Sequence, residues 1–203
     1  MRIPSRKQCY RLLYEMQMPD HIVAHSLQVC RVAALLAENL KMSGMTLHRD
    51  LIEASALLHD ITKTRSFKTN ENHALTGNQL LSGLGYPEVG HIVGQHVRLD
   101  EYFSSEALNE AELVNYADKR VLHDKVVSLG VRMEYILNRY GKEPEHRQRI
   151  RWLWEKTEQL EERLFSWLSF SPDELERILG HADCAVEFSA YRKACPTDSS
   201  PDN

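Results

Sequence analysis

The sequence predicts an all-α fold, and three observations carry that expectation. Apolar residues recur every three to four positions along most of the chain, the spacing that turns one face of a helix towards a core. Helix start and stop signals punctuate it at short intervals, among them Ser5 with Gln8, Pro19-Asp20, Ser43-Gly44 and Ser171-Pro172. No stretch shows the strict apolar–polar alternation of a half-buried strand, and there is no internal repeat.

In order, Ser5 and Gln8 have the capping-box spacing for a short first helix carrying Cys9, Leu12, Leu13 and Met16. Pro19-Asp20 starts a longer helix to about Lys41, with Ile22, His25, Val29, Val32, Leu36 and Leu40 on one face. A third helix is expected over about Thr46 to Asp60, and Thr62 to Asn72 reads as a polar loop. The next helix, from about Glu71 to Leu84, offers Ala74, Leu75, Leu80 and Leu81 to the core. Gly85-Tyr86-Pro87 reads as a turn, with Pro87 at a first helical position where its missing N–H costs nothing. That helix leads to His96. Asn109 to about Tyr140 is expected to form one or two helices, and Gly141 with Pro144 marks a break. Beyond it, Ile150 to Phe170 is an amphipathic helix whose Trp152, Phe165 and Trp167 suit core or homodimer packing. Ser171-Pro172-Asp173-Glu174 is a further helix start. These signals divide the chain into a helical domain over 1–141, a helical extension over 142–194 packed on it, and a disordered tail over 195–203.

At 203 residues the chain can bury a sizeable core without covalent staples. A 42% hydrophobic and 27% charged composition is that of a soluble globular domain. The net charge of −4 gives no electrostatic reason to bind long nucleic acids. Cys9, Cys30, Cys184 and Cys195 contain no CxxC pair and read as buried or idle thiols in a reducing compartment. There is no signal-peptide pattern, and no apolar run approaches the ~18 residues of a membrane span. The expectation is a cytoplasmic protein with no membrane partner.

The stretch bearing most on chemistry is Leu57-Leu58-His59-Asp60-Ile61-Thr62-Lys63. A carboxylate at a helix C-terminus opposes the helix dipole, and Asp118, inside an apolar run, would be costly to bury unpaired. Histidine on an apolar face, as His25 is, more often belongs to a core than to a metal site. Taken together, however, His25, His59, Asp60, His73, His96 and Asp118 would resolve these costs by sharing a cation. Mixed imidazole and carboxylate donors suit borderline divalent metals. Six ligands exceed the needs of one tetrahedral zinc and suit two ions bridged by a carboxylate, with Asp60 as the natural bridge.

This set, in this order and with helical surroundings, resembles the HD-domain superfamily of metal-dependent phosphohydrolases over roughly residues 20 to 125. The resemblance implies an HD-type helical bundle with additional C-terminal helices. His25, the His59-Asp60 doublet and Asp118 match the family's primary metal site, and His73 and His96 match the extra histidines of its binuclear members. Two divalent ions are implied, with Fe or Mn favoured over Mg, Co, Ni or Zn. Lys63, three residues after Asp60, matches the His-Asp-x-x-Lys variant in which the lysine faces the substrate phosphate. Arg98 is a second candidate phosphate contact; Lys119 and Arg120 are expected to be surface charges. Thr62 stands where the common His-Asp-Ile-Gly variant has glycine. The implied reaction is hydrolysis of a phosphomonoester, phosphodiester or phosphoanhydride, of a nucleotide or other small phosphorylated metabolite, by metal-activated hydroxide, with Asp60 and Lys63 catalytic. The alternative is a nucleotide-binding regulatory or scaffold module without turnover. Redox chemistry at a di-iron centre is a third class.

Overall fold

The computed structural model of the chain describes residues 1–180 and 182–195, without the side chains of 182–184. Eleven α-helices follow one another among the described residues: α1 Arg6–Glu15, α2 Asp20–Met42, α3 Arg49–Leu58, α4 Lys63–Thr69, α5 His73–Gly83, α6 Pro87–Gly94, α7 Glu110–Lys119, α8 Leu129–Tyr140, α9 Pro144–Phe165, α10 Leu175–Leu179 and α11 Ala182–Ala194. The fold is all-α. Its one small departure is an antiparallel hairpin between α7 and α8, β1 Val121–Leu122 and β2 Lys125–Val126, which pairs Val121 with Val126.

The longest helix, α2, is the axis of the molecule. Val23, Leu27, Cys30, Ala33, Leu36 and Leu40 are completely or almost completely out of water along it. Burying each leucine is worth about 1.5–3 kcal/mol, so α2 alone supplies much of the driving force for assembly. It packs against α3 and α7, while α10 and α11 cover another side. α5 and α6 pack tightly on each other, and α6 packs against α3. Gly90 makes this close approach feasible: a Cβ there would lie 2.8 Å from the backbone oxygen of Asn78.

Local signals account for most boundaries. Ser5 and Gln8 complete the expected capping box, Asn109 and Glu112 form another at α7, and Pro87 opens α6. Gly85, at φ +85°, supplies the left-handed turn before it. Four expectations are corrected. The stretch after Thr62 is not all loop: Lys63–Thr69 is helical, a short polar turn whose Phe67 is 63% exposed, so no apolar period betrays it. The break at Gly141 and Pro144 does separate α8 from α9, but α9 begins at Pro144 itself rather than near Ile150, as proline allows at a first helical position. Residues 121–126 form the hairpin, too short to show alternation. Leu75 points outward while Ala74 and Leu81 enter the core.

In the C-terminal helices, Leu160 and Leu164 of α9 join the core and Phe165 packs edge-on against Tyr116 and Phe170. Trp152 and Trp167 lie at the surface. Cys9 and Cys30 are buried free thiols, Cys195 is half-buried, and the side chain of Cys184 lies outside those described. The expected disordered tail falls, from residue 196 on, outside the described residues. No helix among the described residues is long and apolar enough to cross a membrane.

Candidate metal centre

Four turns of helix deliver imidazoles to one point, and the backbone sets which ring nitrogen each presents. His59 caps α3, and its Nδ1 lies 2.7 Å from the Ala56 carbonyl oxygen. His96, just beyond α6, repeats the arrangement with Nδ1 2.7 Å from the Val93 oxygen. On α2, His25 places Nδ1 2.8 Å from the oxygen of His123, whose φ of 57° turns the β1–β2 corner towards it. A carbonyl can only accept, so Nδ1 carries the hydrogen in all three rings and Nε2 is left to face inwards. Outer partners of this kind orient histidines around metals. His73 begins α5, and its carbonyl receives the hydroxyl of buried Thr62 at 2.7 Å. The residue standing in the glycine position thus helps to place His73.

The inward nitrogens converge on Asp60, which is 1% exposed. Its Oδ2 lies 3.3 Å from His59 Nε2 and 4.0 Å from His25 Nε2. Its Oδ1 lies 3.3 Å from His73 Nε2 and 3.6 Å from His96 Nε2. One carboxylate therefore serves two groups, His25–His59–Asp60 and Asp60–His73–His96. Asp118 joins the first through His25, at 3.1 Å, and His59, at 3.7 Å. His73 and His96 approach to 3.0 Å between their Nε2 atoms.

These separations are those of neighbouring donors around ions with bonds of about 2.0–2.2 Å. Two atoms support the fit further. His59 Nε2 and Asp60 Oδ1 are buried without a hydrogen-bond partner despite close neighbours, a state normally costly to maintain. A nitrogen lone pair and a carboxylate oxygen facing each other's surroundings are what a divalent cation would satisfy. The donor set suits a borderline divalent metal.

Electrostatics favour the ligating form of Asp60, Asp118, His25 and His96. Burial works against a charged Asp60, but His59 and Lys63 outweigh it and hold the carboxyl well below its ordinary range. Burial likewise opposes ionised Asp118, and Lys119, His25 and Arg132 overcome it. Burial lowers the pKa of His25 and lowers that of His96 to about 4, favouring neutral rings. For His59 burial acts in the same sense, yet Asp60 and Asp118 raise its pKa overall.

The centre forms the deep end of a cavity of about 760 Å³. Lys63 lines it with Nζ 2.7 Å from Asp60 Oδ2. Arg98 is not among the lining residues: its guanidinium sits over the Trp152 ring, 5.5 Å from the centroid, so the expected phosphate contact is not offered there. Lys119 is buried rather than at the surface, donating to Asp118 Oδ2 at 2.7 Å and to the His96 carbonyl at 2.8 Å. Arg120 is also buried, tied to Tyr116 and Glu161. The cations that do line the cavity beyond Lys63 and Lys119 are Arg132, Arg139 and Arg149. Sequence reading did not single these out. The signal was present in the seven-residue spacing of Arg132 and Arg139, which puts both on one face of α8.

The family model for the HD domain matches residues 22–121, and this stretch of the chain belongs to that family. All six candidate ligands fall inside it; α8 and α9 fall outside. A tRNA (cytidine(56)-2'-O)-methyltransferase of Picrophilus torridus is 28% identical over 151 residues, 68% of this chain and 42% of that protein. The chain thus spans less than half of that relative's length. No solved structure matches.

Proposed function

We propose that the protein is a divalent-metal-dependent phosphohydrolase acting on a nucleotide or similar small phosphorylated molecule. The observation carrying this reading is Asp60: a buried carboxylate whose two oxygens face two separate histidine groups, one of them without a hydrogen-bond partner. His25, His59, Asp60 and Asp118 would hold one ion, and Asp60, His73 and His96 a second. Bound there, divalent ions would supply Lewis acidity towards a phosphoryl oxygen and lower the pKa of a water molecule.

The chain's own residues supply the rest. Lys63, shared between Asp60 and the cavity, is placed to steady a phosphate while tethering the carboxylate. Lys119 fixes Asp118 and the turn carrying His96 together, so it positions two donors from one ammonium group. Arg132, 3.6 Å from Asp118 Oδ1 and with its Nε buried and unpartnered, adds positive charge where phosphoryl oxygens would lie. The relative's name concerns methyl transfer to tRNA, and this chain spans only 42% of that protein.

The test is phosphate release from a panel of nucleotides with added Mn²⁺ or Fe²⁺, comparing the native chain with Asp60→Ala. The reading expects turnover in the first and a loss of at least about 10³-fold in the second, as for removal of central electrostatic catalysis. Tight nucleotide binding without turnover would favour the regulatory module. Undiminished turnover in the variant would refute the assignment of Asp60.

A further inference from the structure

The far wall of the cavity lies outside the HD match and is built by α8 and the first turns of α9. On α8, Arg132, Tyr135 and Arg139 line the cavity, and their spacing makes them one stripe along the helix. Seven residues of helix rise about 10 Å, so Arg139 stands about that far from Arg132, which touches Asp118 at the deep end. Arg149 of α9 faces the same space.

Beyond Arg132, which faces Asp118, the arginines of this wall are not consumed by carboxylates. Arg139 lies against the Tyr140 ring, 5.7 Å from its centroid, and Arg149 forms no ion pair or hydrogen bond among the described residues. The carboxylates lining the cavity are Asp60 and Asp118, committed to the deep centre, and Glu71, which is paired with Arg65. In a protein of net charge −4, this outer wall therefore presents two arginines without a paired carboxylate among the described residues. Aromatic surface lies beside it: Phe67 of α4 and Tyr140 of α8 both line the cavity, and both are more than half exposed. A second depression shares Arg139, Tyr140 and His146 and is also lined by Lys142 and Glu143. The turn that holds the wall is fixed, since Arg147 Nε donates to the Gly141 carbonyl at 2.6 Å.

We propose that this wall binds a second phosphate of the substrate, with Arg139 and Arg149 as specificity-determining residues. The preferred nucleotide then carries a phosphate remote from the one that reacts, and its base or sugar spans the distance between the two charged ends, where Tyr135 lines the cavity. Stacking on aromatic side chains accommodates any base, whereas the two-ended charge pattern selects for phosphorylation state. This rests on the phosphohydrolase reading for the deep end, but the far wall can be tested without turnover.

The full chain is titrated calorimetrically, in EDTA so that neither ligand is consumed, with adenosine 5′-monophosphate and adenosine 3′,5′-bisphosphate. The native chain is expected to bind the bisphosphate at least about tenfold more tightly, the gain from charge-assisted hydrogen bonds to one more phosphate. In Arg139→Ala/Arg149→Ala this ratio should fall below about twofold. It should persist in Arg151→Ala, which removes a charge from α9 away from the cavity lining. Equal affinities in the native chain, or a preference surviving in the double variant, would overturn the proposal. A manganese-loaded assay separates the two readings. Binding preference without hydrolysis of either ligand would sink the phosphohydrolase and leave the wall standing; hydrolysis with no preference would do the reverse.

Discussion

At the residue scale, the centre shows how a few backbone acceptors convert histidines into directed donors. Ala56, Val93 and His123 each fix an Nδ1, so three imidazoles arrive with Nε2 facing the same carboxylate. The ligand types and their order were legible in the sequence because a buried aspartate and a helix-terminal aspartate both demanded a counter-charge. The carbonyl of His123 was not legible, since its place beside α2 depends on a two-residue turn with positive φ. Lys119 was misread for a related reason: burial of a lysine next to Asp118 follows from tertiary packing and leaves no local pattern. A different residue gives a pH prediction. Burial raises the Cys9 thiol from 9.0 to about 12, so the unfolded chain ionises here first. Stability from this group is full below pH 9.0 and declines as pH climbs towards about 12. Denaturant midpoints of the native chain should therefore fall more over that interval than those of Cys9→Ala. Iodoacetamide at pH 8 should label Cys9 only after unfolding, as read by peptide mass spectrometry.

At the scale of elements, α5 and α6 act as one unit that sets the distance between His73 and His96. Gly90 and Gly77 let the helices approach: Cβ atoms there would meet Asn78 O at 2.8 Å and Val93 Cγ1 at 2.9 Å. A backbone atom cannot give way as a side chain can, so Gly90→Ala should force the pair apart. The expected cost is about 1–3 kcal/mol in stability, as for other overpacked sites, measured by chemical denaturation. Because His73 rides on α5 and His96 follows α6, the same variant should weaken metal uptake at the Asp60–His73–His96 group more than at His25–His59–Asp60. Equal weakening of both would show that the pair does not set the spacing. The helices themselves were largely readable from period and caps. The exception, α4, is polar apart from the exposed Phe67, and it is bounded by the turn at Thr62 and by the left-handed Asn70 that ends it.

At the scale of the molecule, the HD portion and the C-terminal helices are joined by a polar clamp. Arg120 on the α7 side donates to Tyr116, Glu161 and the carbonyls of Val127 and Pro172. Arg120 is almost fully buried, whereas Glu161 is partly exposed. Glu161→Ala leaves the arginine its neutral acceptors but removes its carboxylate, and it should cost about 3 kcal/mol, near the lower bound for breaking a buried pair. The loss should be seen as a lower melting temperature and faster proteolysis within α9. The clamp matters for function because α8 and α9 carry the cavity's outer arginines. The all-helical class was legible because helix periodicity is local; the cavity's far wall was not, because it exists only once two distant helices are held over the centre. Metal binding should stabilise the assembled fold by mass action, by about 2.7 kcal/mol at a hundredfold excess over Kd, so chelation should lower the melting temperature.

The central claim is that Asp60 joins two metal groups. Its most direct test is elemental analysis of the purified native chain beside Asp60→Asn, which keeps the shape of the side chain and removes its charge, with folding verified by circular dichroism. The account predicts close to two divalent ions per native chain and a folded variant that has lost both, since the bridge serves both groups. A folded Asp60→Asn chain with undiminished metal content would contradict it.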